Sequence, residues 1–261
     1  MALFKVASFK ETILELADAD DGDMQRWNHV LEPEFHQDCY AGACLEAAGK
    51  LGSFQLSDLG IISRPLTRGV QPSYADDDED EESLEYEGLV RRDGSVLDSN
   101  NGASNVCALK SVTVRAGYID FGGARSVSRN FYEKRKERAG VQNNDVLINS
   151  TGDGTIGRVA VFNKLFPALV DGHITIVRFR DPDIAWYAAA YLMSEQGQNQ
   201  LYRYINGSSG QVEIYPQDIG RVWIPRPDAN KITKIANQLR SACKKHEEFA
   251  SEMRLALSMV E

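Results

Sequence analysis

The segment from Asp145 to Phe162, DVLINSTGDGTIGRVAVF, constrains the fold more than any other part of the sequence. Its three glycines, Gly152, Gly154 and Gly157, satisfy the G-x-G-x-x-G pattern of a dinucleotide-binding loop. Such a loop must lead directly into a helix, because the pyrophosphate binds at the helix N-terminus. Here the β-branched and aromatic run RVAVF follows instead, which is typical of a second strand. The segment therefore predicts a β-hairpin whose glycines adopt positive φ angles, rather than a phosphate-binding loop.

Composition and the distribution of apolar residues indicate a soluble protein. The 261 residues are 43% hydrophobic and 26% charged, which suits one large globular domain or two small ones. No continuous apolar run resembles a signal peptide, and the longest apolar stretch is too short to cross a membrane. The four cysteines lack zinc-ligand spacing, so we expect reduced structural thiols and no metal site. We expect a cytoplasmic protein that does not associate with membranes.

Charge is distributed very unevenly along the chain. The formal net charge is −9, and the segment Asp76–Glu87 alone carries nine acids and no base. The remainder is therefore neutral overall, and the segment Lys110–Gly140 carries eight bases against three acids. The acidic segment predicts a solvated loop. The basic segment predicts either a solvated helix face or a surface that contacts phosphates.

Hydrophobic periodicity predicts a mixed, α+β fold of short strands and a few helices. Helices are expected at Glu11–Ala17, Cys39–Lys50, Ser128–Ala139 and Ile184–Leu201, the third being basic and capped by Ser126 or Ser128. Strands are expected within 50–65 and at Val106–Val114, Gly117–Phe121, Val146–Ile148, Arg158–Phe162, His173–Phe179, Val212–Tyr215 and Arg221–Ile224. Residues 66–105 are expected to form a long surface excursion.

Apolar residues at alternating steps of three and four run from Ile232 to Val260. This spacing predicts a long C-terminal helix of the coiled-coil type. We expect its apolar stripe to bind a partner subunit or a second copy through Ile235, Leu239, Phe249 and Met253. The alternative is that the same stripe packs on its own domain.

Motifs that several enzyme classes require are absent from this sequence. No G-x-x-x-x-G-K-[ST] segment, no G-x-S-x-G elbow and no Pro-Pro-aromatic segment occurs. None of the lysines has an acid two residues before it, the spacing that a restriction-type nuclease uses to hold Mg²⁺. We therefore expect a binding protein with no catalytic residues and no cofactor.

Five sequence blocks occur in an informative order: Asn144–Phe162, His173–Arg178, Tyr191–Glu195, Asn206–Gln211 and Val222–Pro227. Together with the long terminal helix that follows them, these blocks resemble the target recognition domain of Type I restriction-modification specificity subunits. The resemblance covers roughly residues 50 to 261. The resemblance implies a lead-in segment at 1–49, a recognition domain at 50–227 and a spacer or dimerisation helix at 228–261. Members of that family usually carry two recognition domains, so this chain resembles a half subunit or the specificity portion of a larger fused enzyme.

The resemblance also implies a partner set and a set of DNA contacts. The chain would recognise half of a double-stranded DNA target and direct a methyltransferase subunit, and possibly a restriction subunit, to it. A homodimer through the terminal helix is the other expected assembly. DNA contacts are expected from Arg125, Arg129, Lys134, Arg135, Lys136, Arg138, Arg158, Ser208 and Gln211.

Two alternatives stay open at the level of sequence. The first is a non-catalytic protein-interaction module that acts through the acidic segment and the terminal helix. The second is a small nucleotide-binding enzyme, which requires the glycines of Asp145–Phe162 to hold phosphate.

Overall fold

The body of the protein is built on two β-sheets with helices packed around them. The computed structural model describes residues 3–7, 11–15, 33–71, 84–85, 105–207 and 212–260. The strands in this part of the chain are β1 Leu3–Ala7, β2 Glu11–Glu15, β3 Phe54–Gln55, β4 Thr67–Arg68, β5 Leu84–Glu85, β6 Asn105–Leu109, β7 Arg125–Ser128, β8 Gly140–Val141, β9 Asp145–Asn149, β10 Val159–Phe162, β11 Ala168–Val170, β12 Ile174–Val177 and β13 Trp223–Ile224. The helices are α1 Asp38–Ala48, α2 Arg129–Ala139, α3 Pro182–Leu192, α4 Glu195–Tyr202, α5 Pro216–Ile219 and α6 Ala229–Ser258. The fold is thus α+β, as expected.

Strand order places β9 and β12 in the middle of the structure. The four-stranded sheet has the order β10-β9-β12-β4 and is antiparallel throughout. The five-stranded sheet has the order β5-β7-β6-β11-β8, and its β6 and β11 are parallel. Two further pairs, β1 with β2 and β3 with β13, are antiparallel.

The central strands are apolar at successive positions because both of their faces are covered. Val146 and Ile148 of β9 belong to a core cluster that they share with α3. Leu147, which points to the opposite face, packs in a second cluster with Leu109 and Val170 of the five-stranded sheet. The four-stranded sheet is therefore a middle layer, between helices on one side and the five-stranded sheet on the other.

Several sequence expectations are confirmed. The segment Asp145–Phe162 is a hairpin, in which Val159 pairs with Ile148 and Phe162 with Asp145. The basic helix expected at Ser128–Ala139 is α2, and its N-cap is Ser128, whose Oγ accepts a hydrogen bond from the Phe131 amide at 3.1 Å. The cysteine expectation also holds in part, since no cysteine forms a disulfide, although Cys39 is exposed.

Other expectations were wrong, each for a local reason. Glu11–Ala17 was expected to be helical, but Glu11–Glu15 is strand β2, which contains the neighbouring β-branched residues Thr12 and Ile13 and pairs with β1. Gly117–Phe121 is not a strand, because a single bridge at Ile119 is followed by a 3-10 turn. The segment Val212–Tyr215 likewise forms only bridges.

Two expected elements have different limits in the structure. The expected helix Ile184–Leu201 is two helices, because Ser194 starts α4 by accepting a hydrogen bond from the Gly197 amide at 3.3 Å. The excursion expected at 66–105 begins later, since β4 pairs with β12. The acidic segment Asp76–Glu87 lies outside the described residues except for β5.

Helix α6 divides into a packed half and an exposed half. Ile232, Ala236 and Cys243 are buried against the core, and α6 packs mainly along α3. The predicted partner-binding residues Ile235 and Leu239 are partly buried against the same core, so this half of the stripe packs on its own domain, as in the alternative that the sequence left open. None of the helices in the described part of the chain is long and apolar enough to cross a membrane.

Polar contacts fix the packed half of α6 in place. Asp183 of α3 accepts hydrogen bonds from Thr233 and Arg240, each at 2.7 Å. Further along, Glu247 pairs with Lys164 at 2.8 Å. Beyond this point the apolar residues are exposed, including Phe249 at 60% and Met253 at 47%.

Candidate nucleic-acid interface

Helix α2 presents a basic surface to solvent. It is held by Phe131 and Ala139, which are buried in a small core cluster with Val106 and Val127. The last two turns of the helix expose four bases, Lys134, Arg135, Lys136 and Arg138, together with two acids, Glu133 and Glu137. We call these four residues the basic face of α2. Because successive residues of a helix are about 100° apart, these bases are spread around the exposed side of α2, where they can meet an external anion.

Acidic neighbours offset only part of this charge. Lys136 pairs with Glu133 at 2.5 Å, and this hydrogen bond together with the carboxylate charge raises the pKa of Lys136. The Arg138 Nε donates to the Arg68 carbonyl at 3.3 Å. Lys134 and Arg135 make no ion pair with another described residue, and Arg135 lies 6.0 Å from the Phe131 ring centre. Lys134 and Arg135 are therefore the bases most available to an external anion.

The two remaining basic residues of this segment are less accessible. Arg125, in β7, and Arg129, the first residue of α2, are both half-buried. Both also interact with other residues of the chain. The structure thus places the exposed positive charge in the C-terminal two thirds of α2.

The glycine hairpin is closed by its own hydrogen bonds. Gly152, Gly154 and Gly157 have φ angles of 93°, 74° and 78°, in the region that favours glycine. The Ile156 amide donates to Gly152 O at 2.9 Å, and the Gly157 amide donates to Asn149 O at 2.9 Å. Because these amides bond within the loop and a strand follows, the loop is not a dinucleotide-binding loop. The geometry removes the basis of the nucleotide-binding alternative.

A second loop lies directly against this hairpin. Asn206 and Glu213 exchange two backbone hydrogen bonds of 2.8 Å, and the Ile214 amide donates to Ser150 O at 2.8 Å. The Gly152 amide donates to Val212 O at 3.2 Å. We call the joined segments, residues 151–158, 206–207 and 212–215, the loop platform. The predicted DNA contacts Ser208 and Gln211 lie between its described parts but outside the described residues.

Hydrogen bonds from neighbouring polar side chains stabilise the loop platform. Arg68 pairs with Glu213, and its Nη2 donates to Ile214 O at 2.7 Å. The hydrogen bond from Arg68 is the main cause that lowers the pKa of Glu213. The exposed His173 shares a 2.6 Å hydrogen bond with Thr151. These hydrogen bonds hold the platform in place and leave an imidazole at its edge.

The predicted DNA contacts that lie among the described residues fall into two groups at opposite ends of β9. The C-terminal end of α2 approaches the start of β9, where Arg178 bonds both Gly140 O and Asp145. The loop platform follows the end of β9, and Arg158 lies there, donating from Nη2 to Gly154 O at 2.7 Å. The structure therefore does not bring Arg158 together with the basic face of α2.

Sequence reasoning missed Arg64, Arg68, His173 and Glu213 as candidate site residues. Arg68 and Glu213 are 145 positions apart, so no local spacing reveals their pairing. His173 alone had a usable signal, since it begins the HITIVR block. Among the described residues, no group of three or more His, Cys, Asp or Glu side chains could hold a metal ion.

Comparisons with known proteins gave structural neighbours only. The sequence matches no protein-family model and no curated protein. The structure is similar to that of the type IIG restriction endonuclease BpuSI, with a TM-score of 0.49 and 11% identity over 79% of this chain and 28% of that one. It is similar to the Type-I restriction-modification system S subunit from M. genitalium, with a TM-score of 0.40 and 15% identity over 72% of this chain and 38% of that one.

A third similar structure comes from a type I R-M system described in terms of complex assembly and conformational transition. Its TM-score is 0.36 and its identity 15%, over 62% of this chain and 39% of that one. The chain spans less than two fifths of the length of each of these three structures.

Proposed function

We propose that this chain is a DNA-recognition domain of the restriction-modification specificity type, with no catalytic role of its own. The observation that carries the proposal is the basic face of α2, a set of four exposed bases on a helix that is fixed to the body. DNA presents closely spaced phosphates, and exposed Lys and Arg side chains bind them by releasing counterions. The order of sequence blocks, which resembles the specificity subunits, supports the same function.

The two surfaces have different roles in this proposal. The basic face of α2 contacts phosphates, which positions the protein on the duplex without recognising a sequence. The contacts to base edges come from Arg158 and Asn206 of the loop platform, from His173 at its edge, and from Ser208 and Gln211, which lie in sequence between two of its segments. Arg and amide side chains are suited to bidentate hydrogen bonds with guanine and adenine respectively. The supporting Arg68–Glu213 pair keeps these loops in a fixed position.

The terminal helix serves assembly in this proposal. A recognition domain at 50–227 is followed by a spacer at 228–261, whose exposed half carries Phe249 and Met253. We propose that this half binds a DNA methyltransferase subunit in the cytoplasm, with a restriction subunit as a further component. A second copy of this chain on the same surface is the competing assembly, and it would supply the second half of a DNA target.

The exposed half of α6 also favours a second candidate function. A non-catalytic protein-interaction module would use this apolar surface, and the acidic segment Asp76–Glu87, to bind a basic partner. The two candidates differ in what they require of α2, because a protein-interaction module needs no contact between its basic face and phosphates.

Selection from a random DNA library tests the proposed function. The full chain is incubated at low ionic strength with duplexes that carry a randomised central segment, and the bound fraction is sequenced over several rounds. We expect enrichment of one short motif in the wild type, and altered enrichment in Arg158→Ala. Recovery of duplexes without any enriched motif, or no recovery, would favour the protein-interaction module.

A further inference from the structure

A cavity of about 340 Å³ lies between the C-terminal turn of α2 and the residue that follows β12. Three bases line it, Arg64, Lys136 and Arg178, together with Tyr132 and Glu137. The basic face of α2 reaches this cavity through Lys136. Its walls therefore combine a rigid protein framework with cationic side chains from three separate parts of the chain.

Arg178 forms a fixed wall of the cavity. Its Nε donates to Asp145 Oδ1 at 2.8 Å and its Nη2 to Asp145 Oδ2 at 2.7 Å. The same Nη2 also donates to Gly140 O at 3.0 Å. Arg178 is thus held by three acceptors and its charge is matched by one carboxylate, so it shapes the cavity without needing a ligand.

The guanidinium of Arg64, unlike that of Arg178, has donors without acceptors. Its Nη1 donates to the Glu137 carbonyl at 2.6 Å. Its Nε and Nη2 are buried and form no hydrogen bond with any described residue. Buried guanidinium donors are normally paired, because leaving them unpaired costs free energy. Arg64 therefore lacks acceptors for one edge of its guanidinium, the edge on which Nε and Nη2 lie side by side.

The electrostatics of Arg64 indicate what kind of acceptor is missing. Burial, and next the positive charge of Arg178, lower the pKa of the Arg64 guanidinium, while Asp145 and Glu137 act in the opposite direction. An arginine stays charged in spite of such a shift, so the site holds an incompletely compensated cation. The side chain of Glu137 is exposed and is free to turn into solvent when an anion enters the cavity.

We infer that this cavity is a phosphate-binding pocket: the Arg64 side chain turns so that its Nε and Nη2, which have almost no solvent-accessible surface in the structure, donate to two phosphate oxygens, and Lys136 supplies a further positive charge. The planar edge of a guanidinium matches two oxygens of a phosphate group, which gives two parallel charge-assisted hydrogen bonds. The position beside the basic face of α2 favours a backbone phosphate of bound DNA as the source, and this part of the inference rests on the proposed function. Free inorganic phosphate has the same chemistry and is distinguished by experiment.

The test compares four versions of the full chain: wild type, Arg64→Gln, Arg64→Lys and the control Lys245→Gln on the exposed side of α6. Thermal unfolding is recorded while inorganic phosphate replaces chloride at constant ionic strength. Binding of a duplex is then measured over a range of salt concentrations. We expect phosphate to raise the Tm of the wild type and of Lys245→Gln, because a ligand that binds only the folded state stabilises it. Arg64→Gln should lose this rise, and Arg64→Lys should keep only part of it.

For DNA, Arg64→Gln should lower the salt slope of binding by about one, with no change in sequence preference. If phosphate protects the wild type but the slope is unchanged in Arg64→Gln, the pocket is supported and its source is free phosphate. An equal rise in Tm in the wild type and Arg64→Gln would overturn the pocket. If circular dichroism shows that Arg64→Gln does not fold, Arg64→Lys is compared with the wild type by the same two measurements.

A different measurement tests the proposed function. A lower salt slope in Lys134→Ala/Arg135→Ala, a variant of the basic face that keeps the pocket residue Lys136, with no effect of Arg64→Gln on either assay, would contradict the pocket and leave the proposed function intact. An unchanged slope in the variant of the basic face, with phosphate protection lost in Arg64→Gln, would do the reverse.

Discussion

Arg178 binds both carboxylate oxygens of Asp145, and this ion pair joins the end of β12 to the start of β9. The Asp145 side chain is 1% exposed and that of Arg178 17%. Asp145 Oδ2 also accepts a hydrogen bond from the Gln142 amide at 2.7 Å, which fixes the turn before β9. The pair therefore sets the geometry at the end of the sheet where α2 approaches.

Breaking this pair should destabilise the protein strongly. Asp145→Asn leaves the half-buried Arg178 guanidinium without its countercharge, so we expect a loss of about 3 kcal/mol in the free energy of unfolding. Urea denaturation followed by circular dichroism measures it. The exposed Asp153→Asn is the matched control and should change stability by less than about 0.5 kcal/mol. Equal stability of the two variants would show that Arg178 does not depend on Asp145.

The glycine hairpin allows a test of its backbone. Gly152 has a φ of 93°, and a Cβ there would lie 2.8 Å from Thr155 Oγ1. Gly152→Ala should therefore cost about 1–2 kcal/mol in urea denaturation. Gly42→Ala, in the middle of α1 with nothing within 4 Å of the added methyl group, should instead stabilise the protein by about 0.5–1 kcal/mol. A neutral Gly152→Ala would mean that the loop does not hold this conformation.

The two halves of α6 should respond differently to charge. Leu239 packs against the core, whereas Phe249 is 60% exposed. Leu239→Asp should lower the free energy of unfolding by about 2–5 kcal/mol. Phe249→Asp should leave unfolding unchanged and abolish association, as measured by light scattering of the chain and pull-down of a co-expressed methyltransferase. Association that survives Phe249→Asp would place the partner surface elsewhere.

The stability of the fold should depend on pH through the buried carboxyl of Asp171. Burial is the main cause that raises the pKa of this carboxyl, and the amide of His173 acts in the opposite direction. Because the folded state holds the proton more tightly than the unfolded state, Asp171 stabilises the fold below about pH 4. That contribution is lost as the pH rises through the raised pKa. The Tm of the wild type relative to Asp171→Asn should therefore fall as the pH rises above about 4, and a constant difference would contradict the assignment.

Local sequence rules predicted the elements whose causes are local. The hairpin follows from a glycine-rich turn between two β-branched runs, and α2 begins where Ser128 provides a cap. The terminal helix follows from its apolar spacing. In each case the determining residues lie within a few positions of one another, so a window of sequence contains the whole explanation.

Features that depend on distant residues were not predictable in the same way. Arg68 meets Glu213 across 145 positions, and Arg178 meets Asp145 across 33. The apolar stripe of α6 predicted a helix but not its mate, since packing along α3 depends on the topology of the whole domain. Leu239 is packed and Phe249 is exposed because the body of the protein covers only the first half of α6.

The salt dependence of DNA binding tests the central claim most directly. The variant Lys134→Ala/Arg135→Ala/Lys136→Ala removes three bases from the basic face of α2. Its control, Lys231→Ala/Lys244→Ala/Lys245→Ala, removes three exposed lysines from α6 and gives the same change in net charge. Affinity of the full chain for a duplex is measured over a range of salt concentrations. We predict that the slope of log K against log salt falls by about one for each phosphate contact that the first variant loses and stays at the wild-type value in the control. Equal slopes in the wild type and both variants would contradict a DNA interface on α2.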